Sequence, residues 1–91
     1  MFTGIITDIG EIVAFEAAEG GVRLAVDCAY AADTIALGAS IACAGVCLTA
    51  TGIERTPRGA RFTADVTHET LDRTTVRAWR VGTRINLERS L

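Results

Sequence analysis

The chain has 91 residues, of which 49% are hydrophobic and 22% are charged, and its formal net charge at pH 7 is −2. This length allows one modest hydrophobic core, and the composition is that of an ordinary globular protein. A weakly acidic chain has no electrostatic attraction for nucleic acid or for an anionic membrane, so neither partner is expected.

The first half of the chain predicts two strands. The first is expected from about residue 3 to residue 15, bent or bulged at Gly10. Asp8 and Glu11 interrupt its apolar residues and no basic flank precedes it, so it is not expected to be a targeting segment. Nowhere does the chain reach the ~18 apolar residues of a membrane span. After a turn at residues 19–21, residues 22–28 alternate as a half-buried strand should.

The second half predicts a hairpin over residues 40–51, a strand through residues 62–66 and a last strand after Gly82. Thr67 is placed to cap a short helix over residues 68–73. These elements amount to about six strands and one helix. The predicted fold is therefore an all-β, six-stranded Greek-key β-barrel with one short helix, formed by residues 1–91 as a single domain. A β-sandwich is the alternative.

The hairpin is the most informative part of the chain. Ala44 and Gly45 are expected to form a two-residue loop, which the glycine favours by accepting a positive φ. Ser40 then faces Thr49, and the inner pairs are Ile41 with Leu48, Ala42 with Cys47 and Cys43 with Val46. Because side chains alternate along each strand, one face carries Ser40, Ala42, Cys47 and Thr49. The other face carries only apolar residues: Ile41, Cys43, Val46 and Leu48. The register thus predicts a core face and a face with two hydroxyls, a thiol and a small alanine.

The face with the hydroxyls allows two interpretations. Donors and acceptors about 5 Å apart across the strands, with Ala42 leaving room, would suit a flat heteroaromatic ligand with carbonyls and ring nitrogens at its edge. Alternatively, Ser40 and Thr49 are ordinary solvent-facing strand residues and Cys47 is a small filler, which is common on half-exposed strands. The pattern alone favours the second interpretation.

The three cysteines, Cys28, Cys43 and Cys47, are an odd number without a secretory context, so reduced thiols in a cytoplasm are expected. Cys43 and Cys47 lie on opposite faces of the predicted hairpin, which disfavours a disulfide between them. With one histidine in the chain, Cys-x-x-x-Cys is a poor metal site, and no metal is expected. Cys28 and Cys43 are expected to be buried apolar residues.

Four motifs together carry a resemblance to a known family. The chain begins with MFTGI, has GASIACAGVCLT at residues 38–49 and FTADVTHETLDRTT at residues 62–75, and closes with VGTRINLER at residues 81–89. In this order and at these spacings, the motifs resemble riboflavin synthase over essentially the whole chain. That family has two tandem barrels followed by a C-terminal helix, and this sequence resembles the first barrel.

The resemblance implies a barrel that binds 6,7-dimethyl-8-ribityllumazine or riboflavin. Riboflavin synthase dismutates two molecules of the lumazine: one gives a four-carbon unit to the other, which yields riboflavin and 5-amino-6-ribitylaminouracil. No metal or organic cofactor is implied. Riboflavin enters as the product and as a ligand. Catalysis would rest mainly on orientation, helped by general acids and bases.

The resemblance also assigns site residues by motif. In the hairpin it assigns Ser40 and Cys47 as catalytic candidates and adds Leu48 and Thr49 to the pocket. We also expect Thr49 to lie deeper than Ser40, further from the solvent at the turn. The other substrate-binding candidates belong to the N-terminus and to the strand-to-helix motif: Phe2, Thr3, Gly4, Ile6, Ala64, Thr67, Glu69 and Thr70. Simpler roles stay open, namely a helix cap for Thr67, a favourable charge near a helix start for Glu69, and a core anchor for Phe2.

Two positions depart from the family pattern. The family commonly has Asn-Gly at the hairpin tip, where this chain has Ala44-Gly45. His68 stands where Pro or Lys is common, and it is expected to be solvated rather than catalytic.

Three other functions compete with this one. A non-catalytic lumazine- or flavin-binding module, similar to antenna proteins, would tend to lack the serine and cysteine that are present as Ser40 and Cys47. A flavin-reductase-type barrel would carry an Arg-x-Tyr-Ser/Thr motif, which does not surround the single tyrosine, Tyr30. A barrel without a ligand stays open.

For this chain alone, the resemblance implies three properties. It should bind one lumazine or riboflavin per barrel. It should form a homodimer, because the surface that pairs the family's two barrels, with MFTGI contributing, would otherwise be exposed. It should be a poor catalyst, because donor and acceptor sites belong to different barrels. A full-length chain of the family is expected to be a homotrimer.

Overall fold

The computed structural model describes residues 2–90, so Met1 of the MFTGI motif and Leu91 lie outside the described residues. Within that range the chain forms seven strands, one short α-helix and two 3-10 helices. The strands are β1 (Asp8–Ala18), β2 (Gly21–Cys28), β3 (Ser40–Cys43), β4 (Val46–Thr49), β5 (Gly52–Arg55), β6 (Ala60–Thr67) and β7 (Arg84–Arg89). Helix α1 is His68–Arg73, and the 3-10 helices are Ala32–Thr34 and Thr75–Ala78.

The strands form one antiparallel sheet in the order β4-β3-β7-β1-β2-β6-β5. The two edge strands, β4 and β5, are consecutive in the chain and are separated only by Ala50 and Thr51. The Ala50 N–H donates to the Ala39 carbonyl at 2.9 Å, and the Thr51 N–H donates to the Thr63 carbonyl at 2.8 Å. The sheet therefore curls until its two edges meet at these two residues.

The prediction of an all-β fold with one short helix is confirmed, but the count of six strands is wrong. The missed strand is β5, in which Gly52, Glu54 and Arg55 leave Ile53 as the only apolar residue. Because β5 lacks alternating apolar residues, no pattern marks it in the sequence. It forms because the chain leaves its pairing with β3 at Ala50 and then pairs with β6.

The prediction for the first strand was wrong in two details. The strand begins at Asp8 rather than near residue 3. Its bulge is not at Gly10, because the register of β1 against β2 shifts between Ile12 and Ala14. Gly10 is instead a place of close packing: a Cβ there would lie 2.8 Å from both Leu87 Cδ1 and Val26 Cγ1.

The core lies inside the curled sheet and explains the alternation along the strands. Its largest fully buried side chains come from five strands and the second 3-10 helix: Phe62, Ile12, Leu24, Ile41, Leu87, Val26 and Val76. Burying a side chain of this size stabilises the fold by roughly 1.5–3 kcal/mol. Cys28 and Cys43 are also fully buried, as expected. Among the helices of the described residues, none is long and apolar enough to cross a membrane.

Candidate functional site

The predicted hairpin register is confirmed pair by pair. Ser40 lies opposite Thr49, and the inner pairs are those expected from a two-residue loop. Ala44 and Gly45 have φ values of 50° and 83°, the positive pair that a type I′ turn requires. The Ala44 N–H donates to the Asn86 carbonyl at 2.8 Å, which ties the tip to β7.

The two faces of the hairpin differ as the register predicts. Ile41, Cys43 and Leu48 are buried, whereas Ser40 and Ala42 are half-buried and Cys47 and Thr49 are exposed. The expectation that Thr49 lies deeper than Ser40 is wrong. The two residues are cross-strand partners, so they are equally far from the tip. Thr49 is the more exposed because β4 is an edge strand, whereas β3 lies between β4 and β7.

The polar atoms on the outer face of the hairpin are available to a ligand. Within residues 2–90, the side chains of Ser40, Cys47 and Thr49 make no hydrogen bond to another protein group. Directly paired residues on one face have Cβ atoms about 5 Å apart, so the Ser40–Thr49 and Ala42–Cys47 pairs form a compact patch.

The thiols of the two hairpin cysteines differ in accessibility. Burial raises the pKa of Cys43 to about 12, and this thiol points into the core. Cys47 is exposed on the outer face, and both are free cysteines. Of these two, Cys47 is therefore the thiol that can meet a ligand or a reagent.

Two threonines that the sequence analysis did not select extend the polar face beyond β4. The Thr51 hydroxyl lies 3.1 Å from the Thr63 hydroxyl and donates to the Thr63 carbonyl at 3.2 Å. Gly52 allows this approach, because a Cβ there would lie 2.7 Å from the Thr63 Oγ1. The spacing of Thr49 and Thr51, two residues apart, could have indicated that both hydroxyls face outward.

The hydroxyls at the start of α1 are already engaged with each other. The Thr67 Oγ1 accepts from the Thr70 N–H and donates to the Thr70 Oγ1, both at 3.2 Å, so Thr67 is the helix cap. Glu69 is exposed and pairs with Arg73 at 3.8 Å. His68 is exposed and is the first helical residue, as expected. Of this group, Thr70 keeps a hydroxyl hydrogen that a ligand could use.

The N-terminal segment, residues 2–7, lies against β7 through a carboxylate that the sequence analysis missed. The Glu88 carboxylate accepts the N–H groups of Thr3 and Gly4 and, at 3.1 Å, the Thr3 hydroxyl. A cleft of about 240 Å³ results between this segment and the outer face, lined in part by Gly4, Ile6, Ala42 and Glu88. Glu88 follows the buried Leu87 and points to the same side of β7 as the exposed Asn86. Alternation therefore predicts that Glu88 is exposed, and its burial has no signal in the sequence.

The predicted site residues do not all share one surface. Leu48 and Ala64 point into the core, so a ligand on the outer face could reach only their backbone atoms. Phe2 is half-buried. Thr67 lines a separate cleft of about 240 Å³ beside Arg23 and Asp65.

The electrostatics of that second cleft are set by an ion pair on the outer face of β2 and β6. The Arg23 guanidinium lies 2.8 Å from the Asp65 carboxylate, and its hydrogen bond holds the pKa of Asp65 below its usual value. No group of three or more His, Cys, Asp or Glu residues in the described part of the chain could hold a metal ion.

Comparison with known proteins gives a consistent result. Residues 3–90 match the lumazine binding domain family. The chain is 49% identical to riboflavin synthase of Brucella abortus (strain 2308), 42% identical to that of Mycobacterium bovis, and 36% identical to that of Bacillus subtilis (strain 168). These alignments cover 99–100% of the chain but 46%, 43% and 40% of the three proteins. The chain thus spans less than half the length of these curated relatives, and the resemblance indicated by the motifs is confirmed.

Proposed function

The chain belongs to the lumazine-binding domain family, and on this premise we propose that it is the first of the two barrels of a riboflavin synthase. Its ligands are then 6,7-dimethyl-8-ribityllumazine and riboflavin. The full-length chain would dismutate two lumazines to riboflavin and 5-amino-6-ribitylaminouracil, without a metal or an organic cofactor. The identity to riboflavin synthases along the whole chain supports this proposal.

We place the ligand on the outer face of the β3–β4 hairpin. The single observation that carries this placement is the register, which sets the unpaired Ser40 and Thr49 hydroxyls opposite each other with Cys47 beside them. Hydroxyls can both donate and accept, so they can match the carbonyls and ring nitrogens at the edge of a lumazine. Beside these groups, Ala42 lines the cleft between the hairpin tip and the N-terminal segment, and we propose that the ring of the ligand extends into that cleft.

The substrate-binding candidates divide by the kind of contact they can make. Phe2, Thr3, Gly4 and Ile6 would close the ligand from the side of β7, and Leu48 and Ala64 would contribute backbone atoms. Thr67, Glu69 and Thr70 would lie near the other end of the ligand. For this, the ligand must extend along β6. Thr63 and Thr67 are four residues apart, which is about 13 Å along a strand.

Ser40 and Cys47 are the candidates for general acid–base help. Such help typically contributes about 10²–10⁴-fold in rate. Orientation of two substrates can contribute as much as ~7–11 kcal/mol of the barrier. We propose that this chain alone binds ligand but has little or no activity, because the donor and acceptor sites belong to different barrels.

We propose that the chain alone is a homodimer and that a full-length chain is a homotrimer. The N-terminal part of the chain carries three large exposed apolar side chains: Ile5 is 64% exposed, Ile6 is 54% exposed and Ile9 is 44% exposed. Apolar surface of this kind is typical of a protein interface. Sedimentation at micromolar concentration tests this: a mass near 9.6 kDa would contradict the dimer.

We also place the protein in the cytoplasm. All three cysteines are free thiols. Cysteines stay reduced in the cytoplasm, whereas secreted proteins tend to pair them.

Titration with riboflavin, followed through quenching of ligand or Trp79 fluorescence, tests the binding proposal. Ser40→Ala and Thr49→Val should each raise the Kd roughly fivefold, since a lost hydrogen bond costs about 1 kcal/mol. Thr75→Val removes an exposed hydroxyl from the second 3-10 helix and serves as the matched control. Absence of quenching by riboflavin and the lumazine at high micromolar protein would refute the binding proposal. Equal Kd values for all three variants would refute the placement of the ligand on the hairpin.

A second assay tests the catalytic part and separates it from binding. The domain is incubated with the lumazine, and riboflavin is followed by absorbance against a full-length riboflavin synthase at equal site concentration. We expect binding without appreciable turnover. Turnover within about tenfold of the full-length enzyme would show that the second barrel contributes less orientation than the ~7–11 kcal/mol available to it.

A further inference from the structure

A carboxylate on β7 determines where the N-terminal segment lies, and we infer that Glu88 is a positioning residue for the ligand site. The inference rests on the function proposed above, because the segment matters only if a ligand occupies the outer face. Glu88 itself would not touch the ligand. It would act through the backbone of residues 3 and 4.

The first observation is the set of contacts that Glu88 makes. Its Oε2 accepts the Thr3 N–H and, at 3.1 Å, the Thr3 hydroxyl. The Gly4 N–H lies 3.1 Å from Oε1 and 3.0 Å from Oε2. Two successive N–H groups thus converge on one carboxylate, an arrangement in which backbone dipoles compensate a negative charge. Gly4 permits it with a φ of 82°.

The second observation is the burial of this charge. Glu88 is only 9% exposed, although it stands on the outer face of β7. The N-terminal segment is what covers it, and hydrogen bonds to a charged acceptor are stronger than those between neutral groups. The segment has one other backbone bond to β7, from the Thr7 N–H to the Leu87 carbonyl at 2.9 Å. Glu88 thus supplies the hydrogen bonds that join residues 3 and 4 to β7.

The third observation concerns the hydrogen bonds between Glu88 and residues 3 and 4, which we call the anchor, and connects them to the hairpin. Ala42 is the cross-strand partner of Glu88, and Ala42 shares its face with Ser40, Cys47 and Thr49. Glu88 and Ala42 line the same cleft as Gly4 and Ile6. The anchor therefore sets one wall of a cleft that includes Ala42 and the hairpin tip, next to the face that carries the hydroxyls. Moving that wall would change the space for a ring without changing any hairpin residue.

The test begins with a measurement that needs no ligand. Glu88→Gln keeps the shape of the side chain but removes its charge and replaces one of the two acceptor oxygens with an NH₂ donor. Amide hydrogen exchange by NMR should become at least about tenfold faster at Thr3 and Gly4, because both amides lose a charge-assisted hydrogen bond. Glu54→Gln, the same change at an exposed strand position, should leave those two amides unchanged.

The second measurement is the Kd for riboflavin. Glu88→Gln should raise it about tenfold. If Glu88 acts only through the segment, deleting residues 2–4 should raise the Kd by a similar factor, and adding Glu88→Gln to the deletion should change it less than about twofold. A merely structural role would give additive effects instead. If Glu88→Gln does not fold, the deletion keeps the inference falsifiable, since an unchanged Kd after removal of the segment would overturn it.

Each outcome has a separate meaning. Unchanged exchange at Thr3 and Gly4 overturns the anchor, and faster exchange with an unchanged Kd overturns its role in the ligand site. A full effect of Glu88→Gln in the deleted chain shows that Glu88 acts without the segment and also overturns the inference. If the unmodified chain binds neither riboflavin nor the lumazine, the proposed function fails and the positioning role fails with it. The exchange data then still measure the anchor.

Discussion

The hairpin tip carries a conformational cost that one substitution should remove. Ala44 has a φ of 50° and is the only non-glycine residue with a positive φ in the described range. An alanine in the left-handed region costs about 1 kcal/mol or more, because its Cβ approaches the following carbonyl oxygen. Asparagine accepts this region more readily, and Asn-Gly is the preferred pair for a type I′ turn. We therefore expect Ala44→Asn to stabilise the fold by about 0.5–1 kcal/mol.

No steric contact or lost hydrogen bond at position 44 opposes this gain in stability. Ala44 is exposed, so the larger side chain meets solvent, and the bond to the Asn86 carbonyl uses the backbone N–H, which the substitution keeps. For a domain of this size the gain corresponds to a Tm increase of roughly 2–8 °C. Ala44→Gly should gain less, because glycine also adds entropy to the unfolded chain.

Thermal and urea denaturation of the variants measure this directly. Ala36→Asn is the matched control, since Ala36 is also exposed but its φ is not positive. It should leave the free energy of unfolding within about 0.5 kcal/mol of the original. If Ala44→Asn is no more stable than the unmodified chain, or gains no more than Ala36→Asn, the turn is not the source of strain that its φ indicates.

Three further predictions concern the thiols and the packing of glycine. A maleimide should modify Cys47 rapidly in the native protein and leave Cys28 and Cys43 unmodified until it unfolds; mass spectrometry showing equal labelling would contradict the assigned faces. Burial raises the pKa of Cys43 from 9.0 to about 12, so the stability that this protonated thiol contributes is complete below pH 9. It is lost as the pH rises towards 12, by up to about 1.4 kcal/mol per pH unit, and a flat urea-denaturation profile between about pH 8 and pH 11 would refute this. Gly21→Ala would put a Cβ 1.8 Å from the Val66 carbonyl oxygen and so must separate β2 from β6. The expected loss is about 3 kcal/mol or more, and an unchanged denaturation midpoint would show that the strands are not in this contact.

A local pattern in the sequence was enough to determine the hairpin. The alternation of residues 40–49 and a two-residue loop ending in glycine determine which side chains face each other. No distant contact is needed for that, and every predicted pair is present. The same local logic correctly placed the cap at Thr67, because a side chain that bonds an N–H three residues later depends only on its own turn. The family motifs, taken together, identified the family.

Only the tertiary structure decided how the surfaces around the hairpin are assembled. β5 exists because β6 is there to pair with it, and Thr51 meets Thr63 for the same reason. Thr49 is more exposed than Ser40 because β4 is an edge strand, which depends on the order of the whole sheet. Glu88 is buried by residues more than eighty positions away in the chain. A periodic pattern reports which way a side chain points from its own strand, but not what the rest of the chain brings to cover it.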